Sequence, residues 1–186
     1  MSLLPIIEIP DPILRAQSAP VESITDDVTR LIADMFETMY KAPGIGLAAV
    51  QVAVPRRLLV IDLQEPAEGA AEGEEEPEPV RQPWVFINPE IVQRSDARQV
   101  YNEGCLSIPE QYAEIERPAT VRAQWIDETG QRREGEFGGL MAVCLQHEVD
   151  HLNGVLFIDY LSRLKRDMVV KKVLKARKDR DKAAVL

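Results

Sequence analysis

The order of elements in the sequence predicts an α+β fold in a single domain that spans residues 1–186. One amphipathic helix precedes a run of β-strands and a second helix follows them, which favours separate helical and sheet regions over alternating β-α units. A chain of 186 residues with 45% hydrophobic and 28% charged residues has the length and composition of one globular core. We therefore expect antiparallel β-sheets around a central helix, with an N-terminal and a C-terminal helix beside them.

The N-terminal helix is predicted by apolar residues at helical spacing after Thr25, a residue type that commonly caps helices. These residues are Val28, Leu31, Ile32, Met35, Phe36 and Met39. The predicted strands are 58–63, 84–91, 100–103, 120–127 and 131–136, the last two joined by a turn at 128–130. The central helix is predicted at about 139–152, because Asn153 and Gly154 form a stop signal after it.

Residues 65–80 form an insert between two predicted strands, with seven glutamates, three prolines, two glycines and no basic residue. Such a segment cannot bury enough apolar surface to order itself, so its composition predicts a mobile acidic loop. The insert supplies seven of the nine net negative charges of the chain. The overall acidity therefore says little about binding partners.

Residues 162–184 predict a basic C-terminal helix, with ten basic and three acidic residues between positions 163 and 182. Its predicted apolar side consists of Leu164, Met168, Val169, Val173 and Leu174. A local positive face suits nucleic acid or ribosomal RNA. A solvated helix that packs on its own domain would have the same composition, so both interpretations stay open.

The sequence suggests neither export nor membrane insertion. The first twelve residues lack the basic start and apolar run of a secretory signal, and no apolar stretch approaches the ~20 residues of a membrane span. The two cysteines have no disulfide-framework spacing, which indicates a reducing, intracellular setting. We expect a cytoplasmic protein that does not contact a membrane.

His147 and His151 are the only histidines of the chain, and they are four residues apart on the predicted central helix. This spacing places both imidazoles on one face, where they can bind one metal ion. Glu148 between them would lie beside the metal, as a carboxylate must to take a proton from metal-bound water. The apolar stretch 140–146 before them indicates that the helix is buried. The sequence thus predicts a metal-dependent hydrolase.

A catalytic metal site normally has three protein ligands, and no His or Glu follows His151 to provide the third. Cys144 shares the helical face, but its side chain would have to reach roughly 7 Å along the axis, so we interpret it as a small buried residue. Cys105 follows a predicted strand, and Gly104 before it allows a close backbone approach. Cys105 is therefore the best candidate for the third ligand. A Cys-His-His set favours zinc or iron, and cobalt or nickel would also fit.

The segment 44–51 reads Gly-Ile-Gly-Leu-Ala-Ala-Val-Gln and follows the N-terminal helix. Its small residues leave backbone groups accessible, and Gln51 offers an amide donor of the kind that stabilises an oxyanion. The segment lacks the third glycine of a dinucleotide fingerprint, so we expect no nucleotide cofactor.

Together, Gly44 to Gln51, Glu103 to Ser107 and His147 to His151 resemble the three motifs of peptide deformylases, G-x-G-x-A-A-x-Q, E-G-C-L-S and H-E-x-D-H. Every fixed position is matched, in the same order. The resemblance implies metal-dependent hydrolysis of the N-formyl group from the formyl-methionine of nascent polypeptides, with release of formate. It also implies one divalent ion, most often Fe²⁺, with Zn²⁺, Ni²⁺ or Co²⁺ as substitutes.

The resemblance implies a role for each matched residue. Cys105, His147 and His151 would bind the metal, and Glu148 would act as general base and then as general acid. Gln51 and the backbone N–H of Leu106 would form the oxyanion hole. Backbone groups near Ile45 and Gly46 would pair with the peptide. The pocket for methionine would be lined by Ile45, Leu140, Val143 and Cys144.

Three further residues have open roles. Asp150 is expected to lie beside the metal centre, paired with Arg117, although an ordinary buried ion pair would look the same. Glu103 has the same ambiguity. Tyr112 falls where relatives vary between a basic and an aromatic residue, and a packing role is expected.

Resemblance to deformylases with a long C-terminal helix favours docking of residues 162–184 on the ribosome.

Two rival functions also follow from the sequence. A peptidase or another metallo-amidase could use the same three ligands. A nucleic-acid-binding module could hold a structural zinc, although a structural zinc would normally have four protein ligands.

Overall fold

The computed structural model describes residues 2–65 and 80–183, in which three α-helices and seven β-strands are found. The helices are α1 (Asp26–Lys41), α2 (Gly139–Leu152) and α3 (Arg163–Ala183). The strands are β1 (Gly46–Ala48), β2 (Leu58–Ile61), β3 (Trp84–Arg94), β4 (Arg98–Cys105), β5 (Ile108–Pro118), β6 (Thr120–Ile126) and β7 (Arg132–Gly138). Short 3-10 helices cover Pro12–Arg15, Ala49–Val52 and Phe157–Tyr160. The α+β fold is confirmed.

Five strands form one antiparallel sheet in the order β1-β2-β3-β6-β7, and β4 and β5 form a separate two-stranded sheet. Strand β2 has four apolar residues in succession because both of its faces are covered. Leu58 and Val60 pack in one buried cluster with the apolar face of α1, whereas Leu59 and Ile61 pack in another with α2. Helix α2 therefore lies inside the molecule, between the sheet and the chain segments that follow it.

Two strands were missed by the sequence analysis, and the reason is physical in each case. Strand β5 alternates between an exposed row of mostly acidic residues and a weakly apolar row that contains Ala113 and Ile115. It begins and ends near prolines, so few apolar residues signal a strand. Strand β1 is only three residues long and consists of Gly, Leu and Ala, so it contains no β-branched or aromatic residue that would signal a strand.

The C-terminal helix begins at Arg163, and position 184 of its predicted range lies outside the described residues. The predicted apolar side is wrong in part. Val173 is buried and Val169 packs against the same core cluster. Leu164, Met168 and Leu174 are instead 72%, 50% and 43% exposed. The helix packs on the domain through a narrow row of valines. The sequence marks all of its apolar residues alike and does not show that only this row is covered.

The predicted acidic loop at 65–80 lies outside the described residues except for its two ends. The backbone N–H of Val80 donates to the carbonyl of Glu65 at 3.1 Å, so the two ends are adjacent.

Candidate metal centre and adjoining pocket

The three predicted ligands come together at the meeting point of α2 and the end of β4. Candidate ligand atoms of Cys105, His147 and His151 all lie within 4.8 Å of one another, and Sγ of Cys105 is 3.2 Å from Nε2 of His151. The two imidazole centroids are 5.0 Å apart, one helical turn from each other. A thiolate with two imidazoles fits a tetrahedral zinc- or iron-type centre that keeps one position open.

His147 is oriented by a buried carboxylate. Its Nδ1 lies 2.8 Å from Oε2 of Glu103, so Nδ1 carries the hydrogen and Nε2 is left to bind a metal. The Arg117 guanidinium donates two hydrogen bonds to Glu103, at 2.5 and 3.0 Å. Burial alone raises the pKa of Glu103, but the hydrogen bonds from His147 and Arg117 outweigh it and lower the pKa overall. Glu103 is therefore held as an anion against the ligand imidazole.

Arg117 is fixed on its other side by two residues. Nη1 of Arg117 donates to Oδ2 of Asp150 at 2.8 Å, which confirms the expected pairing of these two residues. The hydroxyl of Tyr160 donates to the same carboxylate oxygen at 2.8 Å, and the guanidinium lies 4.8 Å from the Tyr160 ring centroid. The sequence analysis missed Tyr160, and no pattern around it signals this contact.

Glu148 lies beside the ligands and has no competing partner. Its side chain is buried, and Oε2 accepts no hydrogen bond from any of the residues that the structure describes. Burial raises the pKa of Glu148 to about 7. A β-carbon added at Gly46 would lie 2.6 Å from Oε1 of Glu148 and 2.7 Å from Sγ of Cys144. Glycine at position 46 is therefore required for this close approach.

Gln51 reaches the same place from the opposite wall. Its Nε2 lies 3.1 Å from Oγ of Ser107 and 3.6 Å from Sγ of Cys105. Leu106 lies between these two residues, in the turn that follows β4, and its side chain approaches Gly44, where an added β-carbon would be 2.7 Å from Cδ1. The segments 44–51 and 103–107 thus face each other across the centre.

A cavity of about 450 Å³ opens beside the centre. All five residues predicted to bind substrate line it, together with Gln51, Leu106, Cys105, His147 and Glu148; the five are Ile45, Gly46, Leu140, Val143 and Cys144. Burial raises the pKa of the Cys144 thiol, so this cysteine stays protonated and acts as an apolar wall residue. The cavity suits a flexible apolar side chain.

Tyr112 also lines the cavity, and 68% of it is exposed. Its ring lies over Gly104, where an added β-carbon would be 2.6 Å from Cε1. One face of the Tyr112 ring therefore packs as expected, whereas the rest of the ring faces solvent.

Fold and site together define an α+β protein with a Cys-His-His metal-binding group of the hydrolytic type, in which Cys105 is partly exposed. A family model described as polypeptide deformylase matches residues 3–167. Peptide deformylases of Rhizorhabdus wittichii and Zymomonas mobilis are 61% and 59% identical to this chain. The first alignment covers 98% of this chain and 100% of the relative, and the second covers 97% and 98%. The chain belongs to the peptide deformylase family.

Solved structures agree with this assignment. The peptide deformylase of Ehrlichia chaffeensis superposes with a TM-score of 0.85 at 41% identity, over 96% of this chain and 98% of that one. The Legionella pneumophila enzyme gives 0.84 at 39% identity, over 97% and 98%. Members of the family are hydrolases that remove the N-formyl group from nascent peptides, and this activity is the function of the chain. Among the described helices, none has the length and hydropathy to cross a bilayer.

Proposed function

We propose that Cys105, His147 and His151 bind one divalent metal ion, and that Glu148 and Gln51 act beside it in the hydrolysis of the formyl group. The observation that carries the proposal is the convergence of these side chains. Candidate ligand atoms of Cys105, His147 and His151 lie within 4.8 Å of one another, and Cys105, His147, Glu148 and Gln51 line one cavity. Three protein ligands leave a coordination position for the reaction, whereas a structural site would be closed by a fourth.

A divalent ion at this position supplies Lewis acidity, which polarises a carbonyl oxygen and makes water a nucleophile near neutral pH. We propose ferrous iron as the ion in the cell, with zinc, nickel or cobalt as substitutes, because thiolate and imidazole ligands accept all four. Metal analysis after purification without air, with formate release measured on the same samples, tests this. Activity that rises with iron content supports ferrous iron. Full activity in protein that contains only zinc contradicts it.

Glu148 moves the proton in this scheme. Its Oε2 is buried, lies beside the ligands and is not engaged by another residue of the described chain, so it can accept a proton from the attacking water. The same oxygen then delivers the proton to the amine nitrogen that leaves. A β-carbon at position 46 would clash with Oε1 of this carboxylate, so the glycine there lets Glu148 occupy this position.

The developing negative charge on the formyl oxygen needs hydrogen-bond donors. The amide Nε2 of Gln51 and the backbone N–H of Leu106 are the proposed donors, one from each wall of the centre. Both residues line the cavity, and Nε2 of Gln51 is directed toward Sγ of Cys105.

The substrate peptide is proposed to bind as an added strand. Strand β1 lies at the edge of the five-stranded sheet, and among the strands of residues 2–65 and 80–183 its one partner is β2, which leaves its outer edge unpaired there. Backbone groups of Ile45 and Gly46 would pair with the extended peptide there. The methionine side chain would enter the cavity between Leu140, Val143 and Cys144.

The substrate test uses three methionyl peptides of one sequence, with a formylated, an acetylated or a free amino terminus. The proposal predicts formate from the first peptide and no product from the other two. Cleavage of a peptide bond in the free peptide, without formate from the formylated one, would favour a peptidase. No turnover of any peptide by metal-loaded protein would favour a structural metal.

Helix α3 is proposed to dock this cytoplasmic enzyme on the ribosome. At about 100° per residue, Leu164, Met168, Lys171, Lys175, Lys178 and Lys182 fall on one side of the helix, opposite the buried Val173. This outer face is exposed, and its lysines form no ion pair within the described residues. An exposed row of unpaired lysines suits the phosphates of ribosomal RNA.

Charge reversal tests the docking. The double variant Lys175→Glu and Lys178→Glu is compared with Arg94→Glu and Arg132→Glu, which changes the net charge equally on exposed strand positions. Sedimentation with ribosomes at several salt concentrations should show weaker, less salt-dependent binding for the α3 variant only. Equal losses in both variants would mean that net charge, not the outer face, is responsible.

A further inference from the structure

The side-chain amide of Gln51 is held from two sides. Its Oε1 accepts a hydrogen bond from the backbone N–H of Ala48 at 2.8 Å, which identifies this atom as the oxygen. Its Nε2 donates one hydrogen to Oγ of Ser107 at 3.1 Å. The second hydrogen of Nε2 faces the centre, where Nε2 donates a longer hydrogen bond to Sγ of Cys105 at 3.6 Å.

Ser107 is itself anchored. It is completely buried, and its carbonyl accepts the backbone N–H of Ile9 at 3.0 Å. The carbonyl of Gln51 accepts the backbone N–H of Ile7 at 2.8 Å. One N-terminal segment therefore holds the backbones of both residues, so the hydroxyl of Ser107 has a fixed position relative to the amide.

We propose that Ser107 is a positioning residue for the reaction, whose hydroxyl orients the Gln51 amide so that its second N–H, the one directed toward Sγ of Cys105, can turn to the formyl oxygen. The proposal rests on the oxyanion role proposed for Gln51. The terminal torsion of a glutamine side chain is broad and has no strong preference of its own, so neighbouring hydrogen bonds must set it. Without the Ser107 acceptor, one buried N–H loses its partner, and the amide rotates away from the productive orientation.

The first test is Ser107→Ala, with Ser18→Ala as the matched control. Ser18 is also buried, but its Oγ has no hydrogen-bond partner among the described residues. Loss of one neutral hydrogen bond predicts a decrease in kcat of about three- to tenfold for Ser107→Ala. The KM for the formylated peptide and the bound metal should change little, and Ser18→Ala should match the wild type. Wild-type kcat in a folded Ser107→Ala protein overturns the proposal.

A double-mutant cycle then distinguishes this inference from the proposed function. Gln51→Ala alone is expected to lower kcat by about 10²- to 10³-fold, as for loss of an oxyanion donor. In the Gln51→Ala background, Ser107→Ala should have no further effect, because the amide it orients is gone. A further drop of the same size as in the wild type overturns the positioning role. Wild-type activity of Gln51→Ala instead overturns the role of Gln51.

Nitrogen-15 relaxation of the Gln51 side-chain amide gives a second readout that does not depend on turnover. The order parameter of Nε2 should fall in Ser107→Ala and stay unchanged in Ser18→Ala. An amide that remains as rigid in Ser107→Ala as in the wild type contradicts the proposal.

Discussion

Helices α2 and α3 each contain many polar residues, but those of α2 are mostly buried whereas those of α3 are mostly exposed. In α2, ten of fourteen residues are buried, including both histidines, Gln146 and Glu148. In α3, Val173 is the one buried residue of twenty-one. A buried polar group costs free energy unless it is paired or bound, so each polar residue of α2 requires a partner. Arginines of α3 pair with Asp159, Asp167 and Glu8, but the lysines on its outer face are solvated and form no ion pair among the described residues, so they remain available to a second molecule.

The comparison predicts its largest effect at Glu148. Glu148→Gln keeps the size of the side chain but removes the proton acceptor, so formate release should fall by about 10²- to 10⁴-fold. Metal content is measured in parallel and should not change. Activity close to that of the wild type in metal-loaded Glu148→Gln would remove this residue from the mechanism.

A smaller effect on the reaction is expected at Glu103, which contacts the proposed ligand His147 rather than the metal itself. Glu103→Gln removes the bidentate carboxylate from the buried Arg117, which keeps its ion pair with Asp150, and leaves His147 with a weaker acceptor. Removing one partner of a buried ion pair typically costs about 3–5 kcal/mol of unfolding free energy. Metal affinity should fall by roughly 10- to 100-fold. Chelator competition and urea unfolding measure the two effects. Unchanged metal affinity would mean that Glu103 serves stability alone.

Asp159, in the 3-10 helix that joins α2 to α3, should show a modest pH-dependent effect. Burial raises its pKa, but the Arg15 guanidinium and the backbone N–H of Leu156 lower it overall. A carboxylate with a lowered folded-state pKa stabilises above its unfolded value and loses this contribution as the pH falls through the folded value. Because Arg15 and Asp159 are partly exposed, Asp159→Asn should cost at most about 1 kcal/mol at pH 7.

Unfolding of both proteins as a function of pH checks this sign. The difference between wild type and Asp159→Asn should be constant above about pH 5 and should vanish at strongly acidic pH. A difference that grows as the pH falls would contradict the assignment.

The smallest effect is expected on the outer face of α3. Lys175→Glu with Lys178→Glu should change kcat/KM for a short formylated peptide by less than about twofold, because neither lysine lines the cavity and exposed substitutions usually change folding stability by no more than about 0.5 kcal/mol. The assay uses the protein without ribosomes. A large loss of peptide activity would show that α3 supports the site directly, and the contrast with α2 would fail.

The difference in burial between α2 and α3 also explains which features could be predicted from the sequence. The bounds of α2 and the placement of its candidate ligand pair on one face were predictable, because burial leaves a long apolar run before His147 and a clear stop at Asn153. Cys105 could be inferred as the third ligand from the lack of a downstream His or Glu. In α3, the sequence marks a basic helix but not which apolar residues pack, since only a narrow valine stripe is covered.

The contacts that orient the centre were less accessible. The pairing of Asp150 with Arg117 was expected, but the bidentate contact of Arg117 with Glu103 joins strands β4 and β5, and the second of these was missed. Ser107 and Tyr160 reach their partners only through tertiary structure. Ser107 had one usable signal, its place in the E-G-C-L-S motif, whereas Tyr160 lies outside all three motifs.

Substitution of the two cysteines tests the proposed ligand set, because Cys105 is a proposed metal ligand and Cys144 is not. Metal content and formate release are measured on Cys105→Ala and Cys144→Ala after purification without air. Cys105→Ala is expected to lose the bound metal and the activity, whereas Cys144→Ala is expected to retain one metal ion per chain. A Cys105→Ala protein that keeps stoichiometric metal and releases formate at the wild-type rate would contradict the proposed ligand set.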